Sequence, residues 1–227
     1  MKKFAVIGLG RFGRKLAATL TMSEAEVIAI DQNREIIDQI RDEVSHAVRL
    51  DSTDEDALRA QGVDKVDVAI VGIGQGGRSF ESSILTVVNL KTLGVPLVYA
   101  RAENITQGQV LSKIGATEVI YPEIESAQKW AYKLITPQIT EKIDFAPGYS
   151  IASVIAPASF HEKTVLDLQL RQKYRINLVS IKRGEKTGSE KEKGEIINVP
   201  LPDTVIYQGD TLMVAGSDWD LAKLPAE

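Results

Sequence analysis

The chain has no cysteine, so disulfides and thiolate metal sites are excluded. It has only 2 histidines, His46 and His161. They lie far apart in sequence, and a histidine-rich metal centre cannot be built from them within one chain. No apolar run approaches the roughly 20 residues that span a bilayer. The start, Met1-Lys2-Lys3-Phe4, passes straight into a strand-like pattern without a signal peptide. The expectation is a cytoplasmic chain that reaches a membrane only through a partner. An excess of positive charge is also missing: 27 Lys and Arg face 31 Asp and Glu, for a net charge of −4. That argues against a dedicated nucleic-acid binder.

Hydrophobic residues make up 44% and charged residues 26% of the chain, which is globular composition. A length of 227 residues suits one large domain or two small ones. Apolar, β-branched bursts recur at Phe4 to Ile7, Glu26 to Ile30, His46 to Leu50, Val68 to Val71, Leu97 to Ala100 and Glu118 to Ile120. Most are short and nearly continuous, as in strands covered on both faces. Helical periodicity lies between them. Phe12, Leu16, Ala17 and Leu20 share one face; so do Ile36, Ile37 and Ile40. Ile84, Leu85, Val88 and Leu93 form a further set, and Val110, Leu111 and Ile114 another. Ser52-Thr53-Asp54-Glu55 is a helix-start signal, and Gly94 and Gly115 are stops. This alternation predicts an α/β fold with a doubly wound parallel sheet.

A last helix is expected over 124–135, ending before Pro137. Residues 137–149 read as a linker. A smaller α+β domain follows. Its expected strands are Ser150 to Ile155, Asn177 to Ile181, Glu195 to Val199 and Thr211 to Val214. Val165 to Lys173 is expected as a helix with Thr164 as N-cap. The polar stretch Arg183 to Lys193 reads as an exposed hairpin loop. The expected domains are 1–140 and 145–227, without internal repeats.

Gly8-Leu9-Gly10-Arg11-Phe12-Gly13 follows the first strand and opens a helix, and Asp31 ends the second strand 23 residues after Gly8. Each part has a task. Gly8 permits the tight turn, Gly10 lets backbone approach a diphosphate, and Gly13 lets helix and strand pack closely. The helix start offers N–H groups to phosphates, and Asp31 can accept from both ribose hydroxyls. The fold expected is therefore Rossmann-like. Hydride transfer needs in addition a site that relays a proton. No tyrosine is followed four residues later by lysine, and the expected second domain is small for a substrate domain. Sensing fits better than catalysis; a small NAD-dependent oxidoreductase is the alternative. A redox-sensing repressor lacks a winged-helix segment and a basic face to grip DNA.

At these residues the sequence resembles the KtrA and TrkA regulatory subunits of bacterial potassium uptake systems, an RCK domain followed by a TrkA-C domain. The resemblance runs from Phe4 to Gly13 through Asp51-Ser52-Thr53, Val71-Gly72-Ile73-Gly74 and Val98-Tyr99-Ala100-Arg101-Ala102. It continues in Leu111 to Ala116 and Tyr121-Pro122-Glu123. A single RCK unit looks more like KtrA than the doubled TrkA. The resemblance implies a non-catalytic gating subunit, dimeric within an octameric ring, docked under a KtrB/TrkH-like membrane K⁺-translocating partner. ATP or ADP, and in some members NAD(H), would set its state. The nucleotide would lie on Gly8, Leu9, Gly10, Phe12, Gly13, Asp31 and Gln32. Asp51 and Ser52 would lie by the adenine, and Ile73 and Gly74 beside the nucleotide. Arg11 would reach the γ-phosphate of a neighbouring subunit's nucleotide, or else is a solvated helix-start arginine. Arg101 faces the same crevice by the switch-point rule, or else forms a structural ion pair. Glu123 resembles a glutamate near an inter-subunit Mg²⁺ or Ca²⁺; the other reading is a helix-starting acid. Gln75-Gly76-Gly77-Arg78 departs from the family pattern and either alters the phosphate pocket or loosens the helix start. The resemblance also implies a cyclic di-AMP site in the second domain, on Leu166, Asp167, Arg171, Asn177, Leu178 and Pro200.

Overall fold

In the computed structural model, which describes residues 2–73, 79–184 and 194–225, the β-branched runs of the first half form one parallel sheet. The elements alternate: β1 (Lys3–Ile7), α1 (Arg11–Met22), β2 (Glu26–Asp31), α2 (Arg34–Ile40), β3 (His46–Arg49) and α3 (Glu55–Ala60). Then come β4 (Val68–Val71), α4 (Ser79–Thr92), β5 (Leu97–Arg101), α5 (Ile105–Lys113), β6 (Glu118–Ile120) and α6 (Pro122–Ile135). The strand order is β3-β2-β1-β4-β5-β6. Direction of winding reverses between β1 and β4, so their carboxyl ends open a crevice.

Residues buried on both sides explain the nearly unbroken apolar strands; all four residues of β4 are buried. One face packs Ile7, Ile30, Val71, Val98 and Ala100 against Leu90 and Leu111. The other packs Val6, Ala29 and Ile70 against Phe12, Leu16 and Ala17 of α1. The expected start of α3 is realised by Asp54, whose carboxylate accepts from the Ala57 N–H at 3.0 Å. Helix α4 departs from expectation. It buries Ser83, Thr86, Val87 and Leu90, while Leu85 and Val88 stay exposed. Its apolar residues encircle the helix, so periodicity alone did not select the inward face.

The chain divides into two units, Met1–Ser126 and Ala127–Glu227. The second holds β7 (Ile139–Ala146), β8 (Tyr149–Ile155), α7 (Val165–Leu168), α8 (Leu170–Lys173), β9 (Asn177–Lys182), β10 (Ile196–Ile197), β11 (Thr211–Ser217) and α9 (Asp218–Leu221). Its antiparallel sheet runs β10-β9-β11-β8-β7. Val154, Phe160, Leu168, Ile181 and Leu212 pack in its core. A buried ion pair ties this unit internally: Arg183 Nη1 lies 2.6 Å from Asp210 Oδ2, with side chains 9% and 0% exposed. Asp210 also accepts from the Tyr207 N–H at 2.9 Å, so the buried charge is well partnered.

Three expectations are corrected here. Residues 137–149 are not a bare linker, because they contain the edge strand β7 paired with β8. The helix over Val165 to Lys173 is broken in two at Gln169, which sits at φ 46°. The strand expected over Glu195 to Val199 is reduced to Ile196–Ile197. Most of the expected hairpin loop, residues 185–193, lies outside the described residues, as do Gly74 and the departure Gln75 to Arg78. Helix α9 was not anticipated.

Candidate functional site

The crevice of the first unit is built around the turn from β1 to α1. Gly8 has φ +86°, and a Cβ there would approach the Ile73 nitrogen to 2.6 Å. A Cβ on Gly13 would collide with the Gly8 carbonyl oxygen. These two glycines are demanded by packing. Gly10 is different: a Cβ there would meet nothing within 4 Å. It is the N-cap of α1, with no side-chain cap and no acid in the first turn. The first-turn N–H groups at Arg11, Phe12 and Gly13 thus lie behind a residue without a side chain, an arrangement suited to phosphate. Arg11 is exposed, whereas Phe12 packs beneath the turn.

Asp31 closes this turn. Its Oδ2 accepts from the Leu9 N–H at 2.7 Å and its Oδ1 from the Asn33 N–H at 2.8 Å. Each carboxylate oxygen retains capacity for a further donor. Gln32 and Asp51 come together at the ends of β2 and β3. The Asp51 carboxyl is held below its ordinary pKa by the Thr53 N–H, then the Thr53 hydroxyl, against a smaller opposing effect of burial, with the Gln32 side chain adding to the lowering. Ser52 turns inward. It is buried, and its hydroxyl shares a 2.7 Å hydrogen bond with Thr86 of α4. Ile73 is half-buried and packs on the core beside Gly8; Gly74 lies outside the described residues.

Arg101 ends β5, and its Nη2 donates to Glu123 Oε1 at 2.6 Å. The arginine side chain is 10% exposed and the glutamate 60%. Arg101 Nε is buried without a hydrogen-bond partner. Of the two readings of Arg101, the ion pair is made, and its Nε remains without a partner. Among the described residues no three His, Cys, Asp or Glu side chains group to hold a metal ion, so Glu123 offers a single carboxylate.

The second unit has a groove of about 310 Å³ lined by Val165, Leu166, Gln169, Leu170, Arg171, Gln172, Leu178, Pro200 and Pro202. Four of the six sequence-predicted residues meet there: Leu166, Arg171, Leu178 and Pro200. Asp167 and Asn177 do not line it. The Asp167 carboxylate is engaged with the hydroxyl and N–H of Thr164 in a capping box, which lowers its pKa. Asn177 starts β9 opposite Ala215. Sequence reasoning missed Gln169 and Gln172; the break between α7 and α8 brings them in, and no glycine or proline marks it. Pro202, two residues beyond Pro200, was a readable signal.

The TrkA-N domain family matches residues 4–122 and the TrkA-C domain family residues 150–226. The Ktr system potassium uptake protein C of Bacillus subtilis (strain 168) is 37% identical, over 98% of this chain and 95% of its own. The Ktr system potassium uptake protein A of the same organism is 33% identical, over 100% and 96%. In structure, the GsuK RCK domain superimposes with a TM-score of 0.63 at 17% identity, over 98% of this chain and 46% of that one. With both domain families in order and Ktr proteins matched from end to end, the chain belongs to the TrkA-N/TrkA-C family of potassium-uptake regulatory proteins.

Proposed function

We propose that this chain is a nucleotide-sensing gating subunit of a K⁺ uptake system and not an enzyme. ATP or ADP binds at the carboxyl ends of β1, β2 and β4, and the choice between them sets the state passed to a membrane K⁺-translocating partner. One observation carries this reading: the start of α1 is uncapped behind Gly10, with Asp31 closing the turn. The N–H groups and the helix dipole favour a diphosphate. Asp31 remains able to accept from a ribose, and NAD(H), which shares the adenosine diphosphate half, suits the same groups. Membership beside the Ktr proteins supplies the K⁺ setting. No helix among the described residues is long and apolar enough to cross a membrane, so the pore belongs to the partner, at whose inner face the chain docks as a homo-oligomeric ring.

In this reading Arg11, exposed at the start of α1, reaches a γ-phosphate held by a neighbouring copy. A guanidinium that meets a third phosphate supplies the differential contact a switch requires. A Mg²⁺ or Ca²⁺ ion at Glu123 would take most of its oxygen ligands from phosphate and water. In the second unit, the groove joins the Arg171 cation to apolar walls from Leu166, Leu178 and Pro200. That combination suits a cyclic dinucleotide such as cyclic di-AMP: bases on the walls, phosphate on the arginine.

The test is the mass of the native assembly with ATP and with ADP, together with NADH consumption. The reading expects nucleotide-dependent assembly and no turnover. A protein indifferent to both adenine nucleotides that oxidises NADH against a small carbonyl compound is an oxidoreductase.

A further inference from the structure

The turn that follows β3 is pinned to α4, a helix far from it in sequence. Asn89 Nδ2 donates to the Ser52 carbonyl oxygen at 3.3 Å and to the Thr53 carbonyl oxygen at 2.9 Å. Only the nitrogen of that amide can face two carbonyl oxygens. The Ser52 hydroxyl meets Thr86 at 2.7 Å, and both residues are buried. Thr53 in turn holds Asp51: its N–H and its hydroxyl donate to Asp51 Oδ1 at 3.0 Å and 2.7 Å. Asp51 is exposed, and its Oδ2 takes part in neither bond. The course of a nucleotide across the sheet gives this turn a task. β1, β2 and β3 are successive neighbours. Phosphates at the glycine turn after β1 and a ribose at Asp31, which ends β2, leave the base to the end of β3, about 5 Å further on. There the Leu50 N–H donates to the Asp31 carbonyl oxygen at 3.2 Å, so Asp51 follows directly on the contact with the ribose acid.

We propose that Asn89 and Thr86 are positioning residues for the base: they hold the turn of Ser52 and Thr53 so that Asp51 presents Oδ2 to the exocyclic amine of an aminopurine. An ionised carboxylate accepts and never donates. It pairs with an amino group and opposes a ring carbonyl at the same place, which accepts only. Neither α4 residue touches the base. Rejection of the oxo analogue depends on an acceptor that stays where it is, because a mobile carboxylate turns aside and lets water pair with the carbonyl. The amide on two carbonyl oxygens and the buried hydroxyl pair fix the turn at both of its residues, and through Thr53 they fix the carboxylate. This inference rests on the nucleotide reading above, and it places the choice of base partly on a helix outside the crevice.

The test is calorimetric titration of the full chain with ATP and with inosine triphosphate, which carries an oxo group where adenine has its amine. Wild-type protein should bind ATP about tenfold or more tighter. Asn89→Leu, similar in volume and without a donor, and Thr86→Val should bring the ratio within about threefold, by weakening ATP while inosine triphosphate stays within about twofold. Thr86→Ser keeps the hydroxyl and loses a buried methyl group; it should melt lower and keep the wild-type ratio. A role in stability alone would make the ratio follow the melting temperature. A Thr86→Ser chain that loses the ratio, or a Thr86→Val chain that keeps it, therefore overturns the positioning role, and this pair decides even if Asn89→Leu does not fold. Asp51→Asn, exposed and able to present an acceptor or a donor, should take both nucleotides alike; a retained preference for ATP overturns Asp51 as the group that reads the base. Wild-type protein that binds the two nucleotides equally overturns this inference alone. Wild-type protein that binds neither overturns the nucleotide reading with it.

Discussion

Gly10 and Gly13 stand three residues apart and answer to different constraints, which alanine exchange separates. Gly13→Ala drives a methyl group into the Gly8 carbonyl oxygen. It should cost about 1–3 kcal/mol, as overpacking does, visible as a lower melting temperature. Gly10→Ala meets no protein atom and should cost at most about 1 kcal/mol, as an exchange at the N-cap of α1, with the larger loss appearing in ligand binding. The turn was legible because Gly8 and Gly13 answer backbone constraints that sequence spacing encodes, and Asp31 because it ends the second strand at a fixed distance from them. The inward turn of Ser52 was not. It depends on Thr86, 34 residues away, and nothing near Ser52 announces that partner. The same contrast holds for Arg101: its strand-end position was readable, whereas its unspent Nε appears only once burial is known.

Among the elements, β7 hid because its pattern is inverted. Ile143 and Phe145 face solvent, while Lys142 turns toward the protein and lies 4.3 Å from the Tyr132 ring centre. Its ammonium meets Asp144 at 2.8 Å and Asp218 at 3.0 Å. Register irregularities at both ends further blurred the alternation. Burial alone would lower the Lys142 pKa; the hydrogen bonds to Asp144 and Asp218 outweigh it and hold it above the ordinary lysine value. Asp144 is held below its ordinary value, first by Lys142 and then by the Ser150 hydroxyl. The signs follow from linkage. A raised lysine contributes stability that is present at neutral pH and lost as pH rises through its folded value. A lowered aspartate contributes stability present above its unfolded value and lost as pH falls through its folded one. Lys142→Met should therefore melt lower than wild type at neutral pH, and the difference should shrink below about pH 4. A difference that persists undiminished in acid would show that packing, not charge, is what Lys142 provides. The capping box at α7 was readable in part, since Thr164 was expected as the N-cap. Thr164→Ala should cost about 1 kcal/mol, measured by denaturant unfolding. The break at Gln169 was unreadable because a positive φ at a non-glycine residue leaves no mark in the sequence.

For the whole molecule, strand–helix alternation was enough to predict a doubly wound sheet in the first half, because each apolar run is short, β-branched and buried on both faces. The second half gave its strands less cleanly. Its sheet mixes buried and exposed positions, and its core closes through contacts distant in sequence, such as Arg183 with Asp210. Cutting that pair by Asp210→Ala leaves a buried guanidinium uncompensated and should cost about 3–5 kcal/mol, read from thermal unfolding. Arg171→Ala, in an open groove, should leave stability nearly unchanged and weaken cyclic di-AMP; unaltered binding would remove the arginine from that site. The central claim concerns the first crossover, and the most direct measurement of it is a titration of ATP into the full chain and its Gly10→Ala variant, with melting curves to confirm that both are folded. Saturable binding to the wild type is expected, weakened by about tenfold or more in a variant that remains fully folded at the temperature of the titration. Absence of saturable binding to the wild type, or equal affinity in a folded Gly10→Ala chain, would contradict it.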